Sequence, residues 1–149
     1  MILHYLDSSA WVKRYCLETG SEWIGNFFAQ APAVACSALG LIEVLSTLAR
    51  KRKARELGLA ACREKSREAE RDFALFHQIY LTPELLALAC SLAREHALRG
   101  ADTVHLTSAC LLRDRGADGE TEVRMITCDA ELAAAARTRG MSVLNPEAR

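Results

Sequence analysis

Met1-Ile2-Leu3-His4-Tyr5-Leu6-Asp7-Ser8-Ser9 starts as an apolar run and stops abruptly at Asp7-Ser8-Ser9. Ile2, Leu3, Tyr5 and Leu6 read as a short, largely buried strand, and Asp7 falls at its carboxyl end. In open α/β sheets that edge is where ligands bind, because the loops diverge there and the following helices present their N-termini to it. A carboxylate so placed is either a helix cap or part of a site. What else reaches the same edge decides between the two.

The 149 residues suit one domain with a sizeable core, and half of them are hydrophobic. Nineteen basic and nineteen acidic side chains cancel, so no overall field draws the chain to nucleic acid or to a membrane, and any attraction to a polyanion must be local. Six cysteines stand without a C-x-x-C pair, which argues against a zinc site and a disulfide-dense secreted fold. No signal peptide or membrane span is visible, so the expectation is a cytoplasmic protein.

Beyond the first strand, residues 10–15 read as a short helix and 21–28 as another, with Ser21 as its cap. Residues 33–36 read as a strand. Ser37 then caps a mostly apolar helix to about residue 50. Residues 50–72 shift to charge, opening with Arg50-Lys51-Arg52-Lys53, and suggest a solvated helical arm reaching to about residue 78. A brief strand is expected at 79–81, then a helix with Thr82 at the cap and Pro83 at its first position, to about residue 96. Gly100 is expected to break it before a helix over 101–113, followed by a polar loop at 116–119. A strand at 123–126, a helix over 130–137 and a strand at 142–144 complete the chain. Strands alternating with helices predict a three-layer α/β/α domain around a mainly parallel sheet of four to five strands.

Four acidic residues then matter. Asp7 and Asp129 both follow a strand and precede a helix, so they belong to one sheet edge. Asp102 opens a helix whose inward stripe continues through Leu106 and Ala109. Glu43 lies in an otherwise apolar helix beside Gly40, Ser46, Thr47 and Arg50. Each also has a plain structural reading, as a cap worth about 1 kcal/mol for the aspartates and as a solvated face for Glu43. Carboxylates brought within roughly 4 Å repel by about 4 kcal/mol per pair, so a cluster needs a cation or raised pKa values. Mg²⁺ or Mn²⁺ suits such oxygen ligands, and the chemistry that follows is phosphodiester hydrolysis.

Hydrophobic-Asp-Ser-Ser-Ala, the helical Glu, Leu98-Arg99-Gly100-Ala101-Asp102-Thr103-Val104-His105, Met125-Ile126-Thr127-Cys128-Asp129 and the closing Gly140-Met141-Ser142-Val143-Leu144 occur in an order that resembles a PIN domain. More narrowly, the chain is similar to the VapC toxins of type II toxin–antitoxin systems. The resemblance spans nearly all of residues 1–149, as a single PIN-like domain. It implies a metal-dependent endoribonuclease with Asp7, Glu43, Asp102 and Asp129 as both catalytic residues and metal ligands. Asp129 would support a second ion or outer waters. Ser8 and Thr127 match hydroxyl positions beside the carboxylates. The resemblance also implies an RNA substrate, an antitoxin partner and a homodimer.

Other residues carry open readings. Residues 50–53 with Arg55 could grip an RNA backbone, contact a partner or simply be solvated. Arg99 lies close enough to Asp102 to pair with a cluster carboxylate or a phosphate. His105 could reach a metal or a leaving oxygen, or be packed and hydrogen-bonded, and His4 reads as structural. Trp11, Trp23, Phe27 and Phe28 read as core or dimer contacts. Two other functions compete: a non-catalytic module that binds RNA or protein, and an aspartyl-nucleophile phosphatase. The phosphatase expects a second Asp two residues after Asp7, where Ser9 stands. A receiver domain expects an acidic pair after the first strand.

Overall fold

Ile2–Leu6 forms the central strand, β1, and its alternation divides the molecule. Leu3 and Tyr5 enter one core and Leu6 the other, while His4 meets Phe27 edge-on at 5.0 Å on the side of Leu6. The computed structural model describes residues 1–116 and 119–148. Four more strands follow: β2 (Val34–Ser37), β3 (His77–Ile79), β4 (Glu122–Ile126) and β5 (Ser142–Leu144). All pairings are parallel, in the order β3-β2-β1-β4-β5, so the expected sheet is present with five strands.

Helices cover both faces. On one side, α1 (Ser8–Trp11) with the 3₁₀ turn after it, α2 (Ser21–Ala29), α3 (Ala38–Lys53) and α4 (Leu59–Leu75) enclose Trp11, Ile24, Phe27, Val44, Leu48 and Phe73. On the other, α5 (Pro83–His96), α6 (Gly100–Arg115) and α7 (Ala130–Thr138) enclose Leu92, Leu106, Ala109, Leu132 and Ala136. Trp11 is fully buried and stacks on Phe73 at 6.3 Å, and Trp23 stacks on Phe27 at 5.6 Å.

Several local expectations need correction. The first helix starts at Ser8, earlier than expected, because the Asp7 side chain accepts from Ala10 N and caps it. Helix α2 is preceded by Gly20 rather than capped by Ser21: Gly20 takes φ +92°, and Ser21 Oγ donates to Cys16 O at 2.7 Å. Helix α3 runs on to Lys53, three residues past the expected end, and Arg55 at φ +60° turns the chain before α4. Cys62, Ala69 and Phe73 seat α4 against the body of the domain, leaving its charged residues on the outer face. Strand β3 lies at His77–Ile79 rather than 79–81. Gly100 is the first residue of α6, and the break falls at Ala97, with φ +51°. The polar loop expected at 116–119 lies partly outside the described residues. Among the described residues no helix is long and apolar enough to cross a membrane.

Candidate active site

At the carboxyl edge of the sheet, the ends of β1 and β4 lie side by side: Asp7 N donates to Ile126 O at 3.2 Å. Asp7 is 2% exposed. Its carboxylate accepts from Ser9 Oγ at 2.8 and 2.9 Å, from Thr127 Oγ1 at 2.8 Å and from Ala10 N at 3.1 Å. Burial raises its pKa, opposed by the nearby His105 and by the hydroxyl and backbone donors. The fold thus keeps a carboxylate where its charge is disfavoured, and a bound cation would relieve that.

Thr127 links this group to the next carboxylate, because Asp129 N donates to Thr127 Oγ1 at 3.0 Å. Asp129 caps α7 by accepting from Leu132 N at 2.8 Å on Oδ1, which leaves Oδ2 for Arg99 Nη2 at 3.2 Å. The same guanidinium donates through Nε to Asp102 Oδ2 at 3.0 Å. Asp102 is itself buried, and Leu106 and Ala109 continue its inward stripe. Three carboxylates from the starts of three helices are therefore joined in one chain through Thr127 and Arg99. Capping and site roles are not exclusive here.

Glu43 reaches the same neighbourhood from the opposite layer. Its Oε1 lies 2.5 Å from His105 Nε2, and the other ring nitrogen, Nδ1, lies 2.7 Å from Tyr5 Oη. His105 is 1% exposed, so its packed and hydrogen-bonded reading fits the structure.

The expected convergence to about 4 Å is not met: among the described residues no three of His, Cys, Asp and Glu are grouped so as to hold a metal ion. Each carboxylate instead has its own partner, with hydroxyls on Asp7, Arg99 on Asp102 and Asp129, and His105 on Glu43. The donor set still suits a hard divalent ion, being carboxylate oxygens with a buried, anion-disfavoured member. Ser9 was missed by sequence reading. It, rather than Ser8, is the hydroxyl against Asp7, because the first helical turn folds back over its own cap. Among the described residues Ser8 has no side-chain hydrogen bond. Cys128 offers no nucleophile, since burial pushes its thiol up to about 12.

Residues 4–138 match the PIN domain. The chain belongs to the PIN domain family. This PIN domain is 37% identical over 116 residues to Ribonuclease VapC45 of Mycobacterium tuberculosis, which covers 78% of this chain and 81% of that protein. It superposes on Mycobacterium tuberculosis VapC20, a sarcin-ricin loop cleaving toxin, with a TM-score of 0.65 at 18% identity, covering 89% of this chain and 94% of that one. A toxin–antitoxin complex from Klebsiella pneumoniae gives a TM-score of 0.62 at 16% identity, covering 96% and 97%. At those identities the structural likeness speaks for the fold. PIN-domain ribonucleases as a class depend on a metal ion.

Proposed function

We propose that this PIN domain is a VapC-type endoribonuclease that hydrolyses RNA phosphodiesters at the carboxyl edge of its sheet, with Asp7, Glu43, Asp102 and Asp129 as its acidic residues. The observation that carries this reading is the unbroken hydrogen-bond path from Asp7 through Thr127, Asp129 and Arg99 to Asp102, which ties three acidic residues, 122 positions apart at the extremes, to one sheet edge. Asp7, Glu43 and Asp102 would hold the ion, Mg²⁺ or Mn²⁺ by its preference for oxygen ligands, with Asp129 holding outer waters or a second ion. When bound, such an ion supplies a water of lowered pKa and neutralises charge on the leaving oxygen. Ser9 and Thr127 orient the Asp7 carboxylate. Arg99 is 75% exposed and can leave its carboxylates to meet a phosphate oxygen.

The relative named a ribonuclease at 37% identity supports RNA as the substrate. The neighbours solved as toxin–antitoxin complexes fit a toxin held by an antitoxin, with homodimerisation and a cytoplasmic location as the accompanying expectations. The basic residues at 50–53, in the last turn of α3, would lie along the RNA backbone.

The test is cleavage of labelled RNA by the purified chain with Mg²⁺, with Mn²⁺ and with chelator, beside Asp7→Asn. Cutting that needs the ion and vanishes in the variant is expected. Equal cutting by both proteins would remove the proposed site.

A further inference from the structure

We propose that His105, oriented by Tyr5, is a positioning residue that holds the Glu43 carboxylate toward the metal-binding edge. The inference rests on the reading of Glu43 as a ligand given above.

Glu43 is the acidic residue with the weakest intrinsic hold on its place. It sits mid-helix, its side chain is 29% exposed, and it takes no part in capping. A carboxylate on so long a side chain would otherwise sample water. What meets it is a histidine buried in the opposite layer of the fold, 62 residues away in sequence. Burying an imidazole beside Leu106 is unfavourable unless both nitrogens are satisfied, and here both are, by Tyr5 Oη at 2.7 Å and Glu43 Oε1 at 2.5 Å.

The direction of these bonds follows from Tyr5. Its Oη accepts from Ser37 N at 3.3 Å, so its own O–H is left to donate. That proton points to Nδ1, which leaves the ring proton on Nε2, facing Glu43. Tyr5 thus fixes the tautomer, and the tautomer turns the ring into a donor to the carboxylate. The structure gives the second oxygen, Oε2, no hydrogen bond among the described residues.

The seat is also built sterically. Gly40, three residues before Glu43, lets α3 lie against the ring: a Cβ there would stand 3.3 Å from His105 Cε1 and 2.5 Å from Cys36 Sγ. Outer partners of this kind, which orient a ligand they do not replace, typically cost about 10- to 100-fold in metal affinity or activity when removed.

The experiment compares the full chain with Tyr5→Phe, His105→Gln, His105→Leu and Glu43→Gln. Mn²⁺ affinity is read by calorimetry, the His105 tautomer by ¹⁵N-edited NMR of the ring, and folding by thermal melts. Tyr5→Phe preserves shape, so it remains informative should His105→Leu fold poorly. Expected results are an Nε2-protonated ring in the parent, loss of that fixed tautomer in Tyr5→Phe, and Mn²⁺ binding weakened about 10- to 100-fold in His105→Leu. His105→Gln, which keeps a donor near Nε2, should recover part of the affinity. Parent-like Mn²⁺ binding in Tyr5→Phe and His105→Leu, with Glu43→Gln impaired, would overturn the positioning role and leave the site intact. His105→Gln binding no better than His105→Leu would also overturn it. Parent-like binding and cleavage by Glu43→Gln would instead remove Glu43 from the site and the proposal with it.

Discussion

Asp7 couples pH to stability through its buried carboxylate. Its pKa is raised above the ordinary 3.8, chiefly by burial, so the folded chain holds this proton more tightly than the unfolded chain. The stability it contributes is therefore complete below the unfolded value and lost as pH rises through the folded one. In chelator, Asp7→Asn should melt above the parent at neutral pH, with the gap closing as pH falls toward 4. A gap independent of pH would mean that the charge is not its cause. The same variant should cut RNA more than about 100-fold more slowly, beyond what loss of an outer-shell partner removes. Arg99 is a different case. Its guanidinium is solvent-facing, so Arg99→Gln should leave the midpoint of a denaturant titration close to that of the parent. It should also tighten Mn²⁺ binding to the free protein, since a competing cation is gone. At this scale the sequence displayed the acidic residues, because strand exits and helix starts are local patterns. It displayed the short-range partner of Asp102, Arg99, but not the distant ones: His105 meets Glu43 across 62 positions and Ser9 meets Thr127 across 118, and no periodicity encodes such pairings.

Elements were easier to read than their ends. Thr82-Pro83 marks the start of α5 as expected, and Thr82 Oγ1 accepts from Leu85 N at 3.2 Å. Thr82→Ala should lose about 1 kcal/mol, or about 2–4 °C in the melting temperature of a chain this size. The end of α5 at His96 was legible too; what escaped reading is that the chain turns at Ala97 and Arg55, left-handed residues whose types do not advertise that conformation. Gly40 is a sharper case. In an open helix, replacing Gly by Ala stabilises by about 1 kcal/mol. Here the added carbon meets Cys36 Sγ and His105, and overpacking of that kind costs about 1–3 kcal/mol. Gly40→Ala alone should therefore lower the melting temperature, and adding Cys36→Ala should restore it by removing the sulfur. A single variant that melts higher than the parent would show that α3 can move away freely.

The whole molecule carries no net charge, so its hold on RNA must come from local patches. Replacing two of Arg50, Lys51, Arg52 and Lys53 by Gln should weaken RNA binding at low salt. The slope of log K against log salt should fall by about 0.7 for each phosphate that is no longer neutralised. An unchanged slope would assign that end of α3 to a role away from the RNA. The placement of β1 has a consequence for biosynthesis. Leu6 pairs with Ile126, so the middle strand of the sheet is made early and waits for its second neighbour through 120 further residues. At about 5–20 residues per second, that wait lasts about 6–24 s on the ribosome. A nascent chain lacking β4 also lacks Thr127 and Asp129, so RNA cutting is expected to begin only once β4 has emerged and paired with β1.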